Sequence, residues 1–258
     1  MRFVDRRIAM QSTSVSKRSS RFALAGIAAL ALSMGRPAQA AYEVITVTGG
    51  GTIDGVVTLS GAAPAAATLK VTKNQDYCGV SIPDPTYSVG PGGGLENVIV
   101  YLKDITKGKA APAEPLNLVN EHCMFHPRAQ GAMVGESIKI SSNDTVLHNT
   151  HPQNAETNAT IYNVALPFKG FSVTKPLPGS PGLIKVKCDA HEWMHAWIME
   201  LDNPYYATTG PDGRFTIKDV PPGSYTLVAW HEVAGEKSEP VVVAAGQTVK
   251  PKLSLAAK

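Results

Sequence analysis

The chain has 258 residues, with 24 lysines and arginines, 21 aspartates and glutamates, and a formal net charge of +3. Residues 1–40 hold seven of the basic residues and one of the acidic ones, which leaves 17 basic and 20 acidic residues, a net charge of −3, in the rest. The positive excess therefore belongs to the N-terminus, and the remainder shows no basic stripe of the kind that binds nucleic acid. That remainder is long enough for one large or two small domains.

The N-terminus has the pattern of a secretory signal. Six basic residues precede an apolar run at 22–34, which is too short to span a bilayer. The sequence 38-AQA-40 then provides a small-x-small cleavage site, so we expect cleavage near Ala40 and a periplasmic or secreted protein. A retained N-terminal membrane anchor is the alternative. No second apolar span follows, so we expect no transmembrane segment in the mature chain.

Beyond residue 40, short runs rich in Val, Ile, Leu, Thr and Tyr alternate with Gly, Pro, Asn and Asp, as strands alternate with turns. Within 184–188, Ile184, Val186 and Cys188 share one face of a strand and two lysines share the other, so Cys188 points inward. No segment keeps a helical period, and we predict an all-β protein made of antiparallel sandwiches. The predicted strands are 52–61, 97–102, 137–144, 183–188, 214–220, 224–230 and 240–246.

The segment 186-VKCDAHEWMHAW-197 places Cys188, His191 and Met194 in one tight loop, between strand 183–188 and a further strand near 195–201. A thiolate, an imidazole and a thioether together favour copper over magnesium, calcium or manganese. Zinc sites more often double the cysteines or add histidines. Three ligands are too few for a buried copper, and the segment 143-NDTVLHNTHP-152 offers a fourth from a neighbouring strand.

The segment 135-GESIKISSNDTVLHN-149 resembles the cupredoxin family, in which an apolar strand, an Asn and a later His-Asn precede a Cys-x-x-His-x-x-Met loop. The spacing of that loop here is the short one of amicyanins. The resemblance implies a Greek-key sandwich with one mononuclear copper, held by His148, Cys188 and His191 in a plane and by Met194 as a weak axial ligand. It also implies that Asn149 ties the ligand loops together by hydrogen bonds.

The C-terminal part resembles the carboxypeptidase-regulatory-like, transthyretin-like β-sandwich family through Asp-Gly-x-Phe at 212–215 and Pro-Pro-Gly-x-Tyr-x-Leu at 221–227. The strands that usually open such modules are absent there but are matched by 55–64 and 97–102. We therefore expect a discontinuous sandwich with a cupredoxin-like domain inserted in it or packed on it. Two tandem sandwiches without strand sharing are the alternative. The expected parts are a signal peptide at 1–40, the sandwich at 48–106 plus 203–258, and the copper domain at 107–202. The combination resembles exported proteins called methylamine-utilisation or plastocyanin-like proteins.

The chain has three cysteines, and an exported protein meets oxidising conditions in which cysteines pair. We predict a disulfide between Cys78 and Cys123, which leaves Cys188 for the metal. Two free thiols are the alternative.

Several residues have plainer interpretations. Met194 could be core filler and Cys188 an inert buried thiol. His148 could be a hydrogen-bonded strand-end residue and His191 an exposed loop histidine. Of four surplus histidines, His151 and His195 could replace a ligand or form a second, more exposed metal site, and His126 is better explained as structural. These surplus histidines are His122, His126, His151 and His195.

The leading functional hypothesis is an exported electron carrier with one copper and a transient redox partner, such as a dehydrogenase or a cytochrome. Because the loop is expected at the surface, the edge of His191 should be the electron port, with Trp193 as a flat docking contact beside the cofactor. The alternatives are a copper-handling module that uses the extra histidines and a non-metal β-sandwich binding module. The chain lacks the hydrolase elbow, the phosphate loop and the His-Glu-x-x-His motif, so we do not expect an enzyme.

Overall fold

The structure is a computed structural model that describes residues 42–65 and 67–258. The predicted signal segment, residues 1–40, lies outside the described residues. The described chain consists of strands and turns with one four-residue α-helix, α1 (Gln75–Cys78), and one 3-10 turn (Pro91–Gly93). The all-β class is therefore confirmed. Within the described residues, no helix has the length and apolar character needed to cross a membrane.

The strands are numbered in chain order. Those of the first part are β1 (Glu43–Val44), β2 (Gly51–Ser60), β3 (Thr68–Lys70), β4 (Ser81–Pro83), β5 (Ile99–Lys103) and β6 (Lys107–Gly108). Those of the middle part are β7 (Leu116–Glu121), β8 (Met124–His126), β9 (Ala129–Met133), β10 (Ser137–Ser142), β11 (His148–Asn154), β12 (Val164–Leu166), β13 (Ser172–Pro176), β14 (Gly182–Lys187) and β15 (His195–Leu201). Those of the last part are β16 (Tyr206–Thr208), β17 (Arg214–Val220), β18 (Gly223–His231), β19 (Gly235–Val243), β20 (Thr248–Val249) and β21 (Lys252–Ala256).

Residues 116–201 form two sheets, which we call the central sandwich. One sheet has the order β13-β10-β7-β8, and the other has the order β12-β11-β14-β15-β9. Alternate residues of both sheets are buried in a shared apolar core, as the period-two pattern of β14 predicts. Cys188 follows β14 on this inward face and is 1 % exposed. Members of this core include Leu118, Phe125, Ile138, Ile140, Leu166, Ile184, Val186 and Ile198.

Strands before and after the central sandwich form two further sheets, which we call the outer sandwich. One has the order β16-β5-β18-β19, and in the other β2 pairs with β17, β20 and β21. Strands β2 and β5, from the first part of the chain, therefore lie between strands of the last part. The two sheets share a separate apolar core, with members such as Ile53, Val57, Leu102, Phe215, Ile217, Leu227 and Leu253. A smaller cluster joins the two sandwiches and includes Ile99, Tyr101, Ala129, Leu201 and Val228.

We expected purely antiparallel sheets from the sequence. The sheets are instead mixed. Strand β7 runs parallel to β10, β9 runs parallel to β15, and β2 runs parallel to β21. Parallel neighbours require a crossover connection, and between β7 and β10 the chain passes through β9, which belongs to the opposite sheet. The hydrophobic period of a strand carries no information on the direction of its neighbour, so this expectation was wrong.

Cys78 and Cys123 form a disulfide, with 5.7 Å between their Cα atoms. The bond joins α1 to the two-residue turn between β7 and β8. Cys188 is free and buried. The predicted pairing is thus confirmed, and the alternative of two free thiols is wrong.

Candidate metal centre

The loop between β14 and β15 is closed by its own backbone. The N–H of Cys188 donates to the carbonyl of Met194 at 3.2 Å, and the N–H of Met194 donates to the carbonyl of His191 at 2.9 Å. The last residue of β14, Lys187, also pairs with the first residue of β15, His195. The tight loop expected from the sequence therefore exists. Its cysteine, histidine and methionine are all buried, with Met194 fully enclosed in the central core.

His148 enters the same site from the neighbouring strand. It begins β11, which pairs with β14, so the start of β11 lies beside the end of β14. The Cys188 Sγ lies 3.9 Å from Nδ1 of His148 and 3.7 Å from Nδ1 of His191. The two imidazole rings are 4.6 Å apart between centroids. One sulfur and two nitrogen atoms thus converge on one buried point, all within 4.8 Å of one another.

These separations suit a bound transition metal. Metal–sulfur and metal–nitrogen bonds of about 2.3 and 2.0–2.1 Å, as at zinc, with bond angles between tetrahedral and trigonal, give sulfur–nitrogen separations of roughly 3.6–3.8 Å. The 3.7 Å between Cys188 and His191 lies in this range, and the 3.9 Å between Cys188 and His148 lies just above it, so only a small shift of the His148 ring would be needed. The three residues therefore fit a metal ion at their centre.

The Asp144 carboxylate orients His148. Its Oδ2 lies 2.9 Å from Nε2 of His148, and both residues are buried. Burial alone would raise the pKa of Asp144, but hydrogen bonds from the backbone N–H groups of Cys123 and His122, from Tyr77 and from His148 outweigh it and lower the pKa. An ionised carboxylate only accepts hydrogen bonds, so Nε2 of His148 carries the hydrogen. The lone pair of Nδ1 is then free and faces Cys188.

Asn74 orients His191 in the same way. The Asn74 Oδ1 lies 3.0 Å from Nε2 of His191. An amide oxygen only accepts, so the hydrogen of the His191 ring is again on Nε2 and Nδ1 faces the thiol. Burial, together with His148 and Lys73 nearby, lowers the pKa of His191 to about 4. Burial also lowers the pKa of His148, against the opposing effect of Asp144. These shifts favour the neutral imidazole, which is the form that binds metal.

Backbone N–H groups surround the Cys188 sulfur. The N–H of Asn149 points at Sγ from 3.4 Å. Burial raises the pKa of the Cys188 thiol, while the backbone N–H groups of Asn149, Ala190 and His191 partly offset that rise. These N–H groups favour the thiolate, which is the form that binds metal. A cation at the site would displace the thiol proton.

The Asn149 side chain ties β11 to the loop between β14 and β15. Its Oδ1 accepts the backbone N–H groups of Asp189 at 2.7 Å and Ala190 at 3.1 Å. Its Nδ2 donates to Asn163 and to the Asp189 carboxylate. The three hydrogen bonds to Asp189 and Ala190 hold the strand that carries His148 against the loop that carries Cys188.

Two expectations about exposure were wrong. His191 is fully buried, and Trp193 is 7 % exposed, with its Nε1 donating to the carbonyl of Cys123. The reason is the segment between β3 and β4, which covers the loop and whose Val71 packs in the central core. The edge of His191 is therefore not an exposed port, and Trp193 is a packing residue beside the histidine ring, at 5.0 Å between centroids.

None of the four surplus histidines belongs to the cluster of His148, Cys188 and His191. His151 contacts Asp189 and Thr160, and His195 contacts Arg128 and Glu232. His122 and His126 are exposed. In the part of the chain that the structure describes, a second possible metal cluster consists of Cys123, Asp144 and His148, but its cysteine is bonded to Cys78.

Asn74, Tyr77 and Asp144 also hold the site together, and we did not predict them from the sequence. Asp144 lies four residues before His148, which is a signal that could have been used. Asn74 and Tyr77 are far away in the sequence, and only the disulfide at Cys78 pointed toward them.

A family model for polysaccharide lyase family 4, domain II, matches residues 182–251. This match runs from β14 into the outer sandwich, and its family differs from the one that the C-terminal pattern resembles. No curated protein matches the chain. The match to the family model covers well under half of the chain, so it shows a local likeness only.

Solved structures of an amicyanin, of a cupredoxin and of a copper-containing nitrite reductase are similar to part of the chain. The reduced Cu(I) form of an amicyanin mutant is 13 % identical, with 36 % of this chain and 86 % of that chain covered and a TM-score of 0.31. A purple cupredoxin from Nitrosopumilus maritimus is 16 % identical, with 33 % and 99 % covered and a TM-score of 0.30. A copper-containing nitrite reductase from Thermus scotoductus is 16 % identical, with 36 % and 24 % covered and a TM-score of 0.28. At these scores the likeness carries no conclusion about function.

Proposed function

We propose that this protein is an exported electron carrier of the cupredoxin type, with one copper held by His148, Cys188, His191 and Met194. The observation that carries the proposal is the convergence of Sγ of Cys188 and Nδ1 of both histidines on one buried point. A thiolate with two imidazoles in a plane and a weak axial thioether is the ligand set of one-electron copper sites. Copper bound there would supply the exchange of one electron between Cu(I) and Cu(II).

The chain itself would hold the site rigid. Asp144 and Asn74 fix the two imidazole rings, and Asn149 fixes the position of the loop relative to β11. Ligands that are already in place in the folded chain need to move little when the charge on the metal changes. A buried, pre-organised site of this kind supports electron transfer.

Copper handling is the second candidate and has less support. It was based on the extra histidines, which would make an exposed site for metal exchange. His151 and His195 are instead engaged with Asp189 and Glu232, away from the cluster at Cys188. The third candidate, a non-metal binding module, does not explain why the three ligand atoms converge.

The remaining parts of the proposal concern context. We propose that residues 1–40 are a signal peptide, that the protein works in the periplasm or outside the cell, and that it is not itself an enzyme. Its partner would be a redox protein, either a dehydrogenase or a cytochrome, met through a small transient interface. Nucleic acid is not a proposed partner.

We also propose the division into a copper domain at 107–202 and a carboxypeptidase-regulatory-like, transthyretin-like sandwich at 48–106 plus 203–258. The pairing of β2 and β5 with strands of the last part supports the discontinuous arrangement. The turn pattern at 212–227 supports the family.

An optical and EPR spectrum of the protein from Ala41 onward, after addition of Cu(II), tests the function. We expect an intense thiolate-to-copper band in the visible that is absent from the Cys188→Ser variant. Copper that binds without this band, and equally well in Cys188→Ser, would contradict the proposal and favour copper handling by histidines.

A further inference from the structure

The segment from Asn74 to Cys78, which we call the cap, lies over the metal centre although it belongs to the chain before the central sandwich. It consists of Asn74 and the four residues of α1. The disulfide from Cys78 fastens its end to the turn between β7 and β8. Val71, which precedes the cap, is fully buried in the central core. The cap is therefore anchored at both ends.

The cap reaches His191 through one side chain. Asn74 has a left-handed backbone, with φ of 54°, and its amide oxygen accepts the Nε2 hydrogen of His191 at 3.0 Å. Its carbonyl accepts the N–H of Cys78 at 2.8 Å, so the residue is held by α1. Asparagine tolerates this conformation better than most residues do. The backbone thus presents the Asn74 amide to the outer edge of His191.

The cap reaches His148 through a second side chain. The Tyr77 hydroxyl donates to Oδ1 of Asp144 at 3.0 Å, while Oδ2 of Asp144 accepts the Nε2 hydrogen of His148. The turn that the disulfide fastens to the cap also contributes, because the N–H groups of His122 and Cys123 both donate to Asp144 at 2.8 Å. The cap and its disulfide are therefore connected to both histidines.

We propose that the cap positions the two histidines, with Asn74 as the positioning residue for His191 and the Tyr77–Asp144 pair as the positioning group for His148. The proposal rests on the proposed function, because it concerns the same metal centre. The cap holds the hydrogen of each ring on Nε2, keeps Nδ1 aimed at Cys188 and keeps water away from His191. It thereby makes the site closed, so that metal enters and leaves slowly.

Asn74 allows a sharp test, because its left-handed backbone limits the useful substitutions. Asn74→Gly keeps the conformation and removes the acceptor. Asn74→Asp keeps both the conformation and an oxygen acceptor. Asn158→Gly is a matched control, since Asn158 also has a left-handed backbone, with φ of 58°, and lies in a turn outside the ligand set.

The first measurement is nitrogen NMR of the imidazole rings in the metal-free protein. We expect the His191 hydrogen on Nε2 in the wild type, Asn74→Asp and Asn158→Gly, and a mixture of the two tautomers in Asn74→Gly. A His191 ring that keeps a single Nε2–H tautomer in Asn74→Gly would overturn the role of Asn74.

The second measurement is the rate at which a chelator removes copper from the loaded protein. Groups that hydrogen-bond a metal-binding histidine typically affect metal affinity by about 10- to 100-fold. We expect faster removal of that order in Asn74→Gly, restored rates in Asn74→Asp and no change in Asn158→Gly. If wild type and Asn74→Gly lose copper at equal rates, and both show the thiolate band, the positioning role of the cap is contradicted. The proposed function would then be unaffected. A wild type without the thiolate band would instead overturn the proposed function, and the cap at a copper centre with it.

Discussion

The guanidinium of Arg128 and the carboxylate of Glu232 form a buried ion pair, with 2.7 Å between Nη2 and Oε1, that joins the central and outer sandwiches. Arg128 lies just before β9, and Glu232 follows β18. The other carboxylate oxygen accepts the indole N–H of Trp197 at 2.9 Å and lies 3.1 Å from Nε2 of His195. His195 directly follows Met194, so this network ties the end of the loop between β14 and β15 to the outer sandwich.

Replacement of Glu232 by Gln should destabilise the protein strongly. The change leaves the buried Arg128 without its counter-charge, and breaking a buried ion pair from one side costs about 3–5 kcal/mol. Urea unfolding followed by fluorescence measures the loss. The matched control is Glu236→Gln, because the Lys103–Glu236 pair is 3.5 Å long and exposed on both sides. An exposed pair contributes about 0–1 kcal/mol. Equal losses in the two variants would contradict the assignment.

The same network should make stability fall in acid. Burial alone would raise the pKa of Glu232, but His195, Arg128 and Trp197 outweigh it and lower the pKa to about 2. The usual value of a glutamate is about 4.3, so the pair stabilises the fold fully above about pH 5 and is lost as the pH falls toward 2. A shift of this size corresponds to about 3 kcal/mol.

Urea midpoints at pH 7 and pH 3 test this dependence. Asp144 and Asp189 also have lowered pKa values, so the wild type loses stability in acid for several reasons. Those carboxylates are still present in Glu232→Gln, and the difference between the two proteins isolates Glu232. The variant should lose less stability than the wild type between the two pH values. Identical losses would show that Glu232 does not titrate as described.

The disulfide should contribute to both stability and metal retention. The bond closes a loop with a sequence separation of 45. In the chain-entropy treatment, closure of such a loop stabilises the fold by about 4 kcal/mol. The double variant Cys78→Ser, Cys123→Ser should therefore unfold at lower urea and release copper to a chelator faster, because the cap is no longer fastened. In the metal-free proteins, a reducing agent should shift the urea midpoint of the wild type toward that of the variant and leave the variant's midpoint unchanged. Release at the wild-type rate would mean that the cap holds without the bond.

Replacement of Met194 by Leu distinguishes an axial ligand from core filler. The two side chains have similar volumes, so the fold should lose less than about 1.5 kcal/mol. If the thioether faces the copper, the thiolate band should persist while the reduction potential changes, since the axial ligand tunes the potential. Met199→Leu, at the junction of the sandwiches, is the control. An unchanged potential in Met194→Leu would assign this residue to the core alone.

Local patterns were sufficient to predict much of the fold. The alternation in β14 placed Cys188 inward, and the turn residues at 211–213 and 221–223 correctly predicted turns before β17 and before β18. Both features are set by neighbours along the chain. The parallel pairs were missed because strand direction depends on crossovers between sheets, which leave no local pattern.

The candidate site was predictable to the extent that its donors are close in sequence. Cys188, His191 and Met194 share one loop, and the His-Asn pair at 148–149 follows a recognisable strand. The covering of His191 was not predictable, because it depends on Asn74, which lies 117 positions away. A loop between two strands is normally expected at the surface, and only tertiary packing could bury it.

The pairing of β5 with β16 has a consequence for the order of folding. Tyr101 and Tyr206 are direct neighbours in this antiparallel pair, yet the whole central sandwich lies between them in the chain. If that stretch were still unfolded, the pairing would have to close a loop of about one hundred residues, at the full entropic cost of so long a loop. In the folded central sandwich, Leu116 pairs with Ile138 and Leu201 pairs with Met133, which is five residues from Ile138 in the chain. The two ends therefore lie near one another, and the closure that remains costs less. The pairing of β5 with β16 should therefore form late, and the outer sandwich should form after the central sandwich.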